Sequence, residues 1–146
     1  MNIRSIFFIL FSGLLVSFSG MAQSSDGLKL IGNNTGLSSV NKKQLNAIFQ
    51  GSRSLWQNGE EVQVVMPSAR TDFSEQFSLY ALQRSYPALQ KFWLGLVFQG
   101  RANAPVFLNS SAEILDYVKR NPGAIGMVKM PEKEISPELL IPVTER

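Results

Sequence analysis

Three short segments carry the residues best suited to holding a ligand. Gly32 to Ser39 contains Asn34 and Thr35, Pro67 to Asp72 contains Ser68, Arg70 and Thr71, and Asn109 to Ser111 contributes Ser110 and Ser111. Each segment leaves an apolar, strand-like run and leads into a helix start. In open α/β sheets, ligands collect beyond the strand C-termini, where the free N–H groups and the dipole of helix N-termini favour an anion. Ser, Thr and Asn side chains can add donors to its oxygens, and Arg70 adds a fixed positive charge. The same residue types cap helices, which accounts for most of them without any ligand. Arg70 has no capping purpose, so the second segment is the strongest of the three. Asp72 opposes it, because a carboxylate at a helix start would take the N–H groups that an anion needs.

Other chemistry is scarce. The chain has 146 residues, with no His and no Cys. That removes Cys nucleophiles, Ser–His couples, Cys/His zinc sites, c-type haem attachment and disulfides. Glu60-Glu61 flanks an Asn58-Gly59 turn and reads as a solvated pair. Asp72 with Glu75 reads as a capping box. With no nucleophile–base couple, the expectation is a chain that is not an enzyme and holds neither metal nor cofactor. The net charge is +3 with scattered cations, the densest pair being Lys42-Lys43. A nucleic-acid surface needs a basic stripe with stacking aromatics, so no nucleic-acid partner is expected.

The elements that must position these segments alternate between strands and helices. Leu28 to Ile31 predicts a strand, and Asn41 with Gln44 predicts a capped helix burying Leu45, Ile48 and Phe49 before Gly51 ends it. Val62 to Met66 is β-branched and stops at Pro67. Phe73, Phe77, Tyr80 and Ala81 mark the face of a second helix. Pro87 opens a third, apolar over more than one face, through Leu89, Phe92, Trp93, Leu96 and Val97. Val106 to Leu108 is a short strand, and Ser110 with Glu113 opens a helix burying Ile114, Leu115 and Val118. Asn121-Pro122-Gly123 breaks it. Ala124 to Val128 is a near-continuous apolar run, as a buried strand requires. One more short strand is expected around Leu140 to Val143. No linker divides the chain, so a single α/β domain with a mostly parallel or mixed sheet follows.

The first residues read as a targeting segment. Arg4 gives a positive start, Ile6 to Phe18 is dominated by Ile, Phe, Leu and Val, and Gly20 and Ala22 occupy the small-residue positions of a cleavage site. The run is shorter than the roughly 20 apolar residues that span a bilayer. Residues 1–22 are therefore expected to be a signal peptide. Residues 23–146 are expected to be one exported periplasmic domain, soluble and without a membrane span after cleavage.

Two segments carry a resemblance. Leu37 to Gly51, with Gln44-Leu45, Ile48-Phe49 and Gly51 at fixed spacing and then Trp56 and Asn58-Gly59, resembles the phosphate-binding proteins of ABC transporters. So does Asn121-Pro122-Gly123-Ala124-Ile125-Gly126-Met127-Val128, with Met127 where that family has Tyr. Phe98-Gln99-Gly100, Pro105 and the Ser110-Ser111 helix start also fit. That family belongs to the type 2 periplasmic-binding-protein superfamily. The resemblance implies a mixed sheet flanked by helices, phosphate or another oxyanion as ligand, and a role in transport. It covers about one of the family's two lobes. The family's Ser-Gly-Thr anion loop corresponds to Ser68-Ala69-Arg70-Thr71, so Ser68 and Thr71 carry over and the Gly does not.

Two functions compete on this reading. One is an exported binding protein for phosphate or a related oxyanion, held by Ser68, Arg70, Thr71, Asn34, Thr35, Ser110 and Ser111. The other is a periplasmic protein-interaction module that keeps the lobe and has no small-molecule ligand, docking a partner or a second copy through Phe92, Trp93 and Leu96, with Val97 and Phe98 on the same helix. The alternative for this helix is a central place packed on the sheet, since a helix apolar all round is usually buried.

Overall fold

The structure, a computed structural model, describes residues 27–146. The expected leader, residues 1–22, lies outside them. Strands β1 (Leu28–Gly32), β3 (Gln63–Pro67), β4 (Val106–Leu108) and β5 (Ala124–Lys129) form one sheet in the order β1-β5-β3-β4. β3 is parallel to both β4 and β5, and β1 runs antiparallel to β5, with Leu28 opposite Lys129 and Gly32 opposite Ile125. Helices α1 (Lys42–Phe49), α2 (Ser74–Leu82), α3 (Tyr86–Phe98) and α4 (Ser111–Arg120) flank it. The mixed α/β architecture expected from the alternating pattern is the one observed. A second pair, β2 (Val40–Asn41) with β6 (Val143–Thr144), is parallel; β6 lies at the end of the stretch expected to be a strand, while β2, only two residues long, was not expected. Short 3-10 turns at Glu132–Glu134 and Pro137–Leu139 lead into it.

Local chemistry sets the helix starts. Asn41 Oδ1 accepts from Gln44 N at 2.8 Å and Gln44 Oε1 accepts from Asn41 N at 2.9 Å, the full reciprocal box. Ser85 caps α3, with Pro in its first turn. The second expected box does not form. α2 begins at Ser74 behind Phe73, no side chain caps it, and the Glu75 carboxylate instead accepts from Tyr86 N at 2.9 Å. Phe73 is buried, so core packing of its ring displaces the start past Asp72. At α4, Ser110 Oγ accepts from Glu113 N at 3.1 Å, and Glu113 reaches back to Asn109 N rather than to Ser110.

The last turn of α2 is closed by α1. Lys42 Nζ donates to Tyr80 O at 2.7 Å and Asn46 Nδ2 to Ala81 O at 3.2 Å, filling carbonyls that have no partner within their own helix. Lys42 also lies over the Tyr80 ring, and burial lowers its pKa against the pull of Glu145. Behind this joint Phe49 meets Phe77 edge to face at 5.1 Å.

One corner joins most of the sheet. Gly123 N donates to Asn33 O at 2.7 Å, while Gly123 O accepts from Gln63 N at 3.1 Å and from the Trp56 indole at 2.9 Å. Its φ is +87°, and a Cβ there would collide with the Glu61 carbonyl. Only glycine fits. β5 leaves this corner with Ala124 to Val128 all buried. Gly123→Ala is expected to cost at least about 2 kcal/mol, from the left-handed strain plus the clash. A urea titration checks this: the midpoint should fall with the slope unchanged.

Candidate functional site

The parallel strands β3, β4 and β5 end at one edge of the sheet, and two of the three expected segments meet there. Ser68 N donates to Leu108 O at 2.8 Å, and Ser68 Oγ donates to Asn109 Oδ1 at 2.6 Å, so the Ser68 loop and the Asn109 turn are stitched together. Within the loop, Arg70 N donates to Ser68 Oγ at 3.2 Å, and both the amide and the hydroxyl of Thr71 donate to Ser68 O, at 3.1 and 3.0 Å. Ser111 Oγ accepts from Lys129 N at 2.8 Å and donates to Lys129 O, which fastens the α4 start to the end of β5. Ser68, Arg70, Thr71, Ser110 and Ser111 therefore share one edge.

Asn34 and Thr35 do not. Because β1 is antiparallel to β5, its C-terminus opens at the opposite edge, beside the N-termini of β3 and β5. There Asn34 Nδ2 donates to Glu60 Oε1 and Asn34 O accepts from Asn58. Thr35 is buried, and its hydroxyl accepts from Leu37 N. These two residues cannot reach a ligand held at the Ser68 edge. The sequence pattern contained no sign of this, since a strand's direction in a sheet is set by its partner rather than by its own residues.

At the Ser68 edge the electrostatics favour an anion more than the sequence suggested. Asp72 does not cap α2, whose N-cap position is Phe73. Arg70 is exposed and makes no ion pair among the described residues. The base of the loop is rigid: the buried Tyr86 hydroxyl donates to Pro67 O at 2.8 Å. Sequence reading missed Tyr86 and Asn109 as supports, and neither stands at a helical spacing that would have marked it. No group of metal-ligating side chains exists among the described residues.

The apolar helix α3 divides between the two places expected for it. Trp93 is buried and its indole donates to Phe49 O at 3.0 Å, while Phe92 and Leu96 are half-buried against the core. Of the face read from the sequence, Trp93 is withdrawn into the core, Phe92 and Leu96 are partly exposed, and Val97 and Phe98 are exposed. The exposed apolar residues are Leu94, Val97 and Phe98, with Phe107 on β4, and Phe98 is 82% exposed.

No family model and no curated protein matches this chain in sequence. Solved structures do match. An ABC-type phosphate transport receptor from Vibrio cholerae superposes with a TM-score of 0.58 at 18% identity, over 81% of this chain and 46% of that one. PstS from Borrelia burgdorferi gives 0.58 at 12% identity, over 82% and 47%. A putative phosphate ABC transporter substrate-binding protein with bound phosphate, from Clostridium perfringens, gives 0.51 at 18% identity, over 82% and 44%. The fold is that of a periplasmic-binding-protein lobe. At these identities the likeness is one of fold, and the chain spans less than half the length of the structures it matches.

Burial raises the Tyr86 pKa above its ordinary value of 10.0. The folded state therefore holds this proton more tightly than the unfolded chain, and stability falls as pH rises past that value toward the raised one. Tyr86→Phe is expected to remove that alkaline loss and to lower neutral-pH stability by about 1 kcal/mol, through the unpaired Pro67 carbonyl. Thermal melts between pH 7 and 11 read both effects.

Proposed function

We infer that this chain is an exported, non-enzymatic solute-binding lobe whose ligand is phosphate or a related oxyanion. The observation that carries the reading is the edge where Ser68, Arg70 and Thr71 meet Ser110 and Ser111, with an uncapped α2 behind the loop and an unpaired guanidinium beside it. The dipole of α2 and the Arg70 guanidinium favour negative charge there. The fold likeness to phosphate receptors supports the choice of anion. No helix among the described residues is long and apolar enough to cross a membrane. Asp72 stays beside the loop as an opposing charge, and one lobe covers only one side of an ion, so binding is weak.

Calorimetry with inorganic phosphate and with sulfate tests this. Heat is expected at millimolar concentrations, and Arg70→Ala should weaken binding about tenfold or more, the scale of a lost charge-assisted hydrogen bond. No heat with either ion would overturn the reading.

The exposed group Leu94, Val97, Phe98 and Phe107 favours a second reading, a protein-interaction module. Light scattering separates its self-association form: a dimer should revert to monomer on Phe98→Ser, and a strict monomer at high concentration removes it.

A further inference from the structure

A separate cleft lies at the other end of the sheet from the Ser68 loop. It encloses about 290 Å³ between the loop after α1, the start of β3 and the segment entering β4. Its floor is apolar, formed by Val62, Val64 and Trp93, and its rim carries Arg53, Arg101 and Glu61. Asn103 Nδ2 donates to Glu61 Oε1 at 2.8 Å and fixes that carboxylate at the rim. Neither guanidinium makes an ion pair among the described residues, and Arg53 packs over the Trp56 ring at 5.7 Å. Stacking of this kind steadies the side chain and leaves its N–H fork open.

A concave apolar floor with a few convergent polar groups is the usual form of a small-molecule site. The charges select the molecule. A simple oxyanion would be drawn by the arginines and repelled by Glu61, and a simple amine would meet the reverse. Two carboxylates and one ammonium on a short carbon chain match all three rim charges at once. We propose that this cleft binds a small acidic amino acid, its carboxylates on Arg53 and Arg101, its ammonium on Glu61 and its methylene groups on the apolar floor. This ligand is independent of any anion at the Ser68 edge.

The test titrates the purified chain with L-glutamate and with glutarate, the same dicarboxylate without the amine, by calorimetry and by following the Trp93 indole N–H signal in NMR spectra. Glutamate should bind and shift that signal, with glutarate at least about tenfold weaker. Arg101→Gln should weaken glutamate about tenfold. Glu61→Gln should close the gap between the two ligands. Lys133→Gln, an equal loss of charge outside the cleft, should bind as the parent does. Arg101 and Glu61 are exposed, so both variants should fold, which circular dichroism verifies. No binding of glutamate, equal binding of glutarate, or cleft variants that bind glutamate as the parent does would each overturn the proposal.

Discussion

The corner at Gly123 is the constraint on which the rest depends. One residue ties β1 through Asn33, β3 through Gln63 and the loop after α1 through the Trp56 indole. Those bonds fix where β5 enters the sheet and so set its register against both neighbours. Buried amide groups left without such partners would cost more than the bonds themselves contribute, so the corner is all or nothing. Once β5 is placed, α4 must lie across it, with Ile114 and Val118 buried against the strand. The Ser110-Ser111 turn is then delivered to the far edge of the sheet, where Ser111 grips Lys129.

That geometry separates two kinds of surface. The edge at the strand C-termini presents a hydrogen-bonded Ser/Thr loop and the Arg70 guanidinium, which makes no ion pair among the described residues, beside the start of α2. The opposite edge presents carboxylates beside arginines around an apolar floor, a combination of mixed sign. β1 is what makes the two edges unlike. By running against its neighbours it takes the Asn34 and Thr35 turn away from the first edge and gives it to the second, where Asn58 and Glu60 hold it.

The elements with strong local signals were legible in the sequence: the Asn41–Gln44 box, the helix start at Pro87, the buried run of β5 and the Leu45, Ile48 and Phe49 stripe. The illegible parts were non-local. β2 is too short to carry a periodicity and exists only through β6, whose strand the sequence had placed slightly early, around Leu140 to Val143. Asp72 has the right residue type and spacing for a cap, and burial of Phe73 outweighed it. An apolar pattern on several faces of α3 left open which of its residues would be buried, and the place of Trp93 was decided by a carbonyl 44 residues away. Of the candidate site, the sequence identified the Ser68 loop and the α4 start. It could not separate them from the Asn34 turn, because strand direction is a property of pairs.

The β2–β6 pair has a bearing on how the chain assembles. Thr144 reaches back to the Val40 carbonyl across 104 residues of sequence, and Ile141, just before it, is part of the buried core. The strand leading into α1 therefore finds its partner only after nearly all the intervening polypeptide has been made. Closing a contact over so long a stretch of sequence costs chain entropy, so this seam is among the last parts of the fold to form.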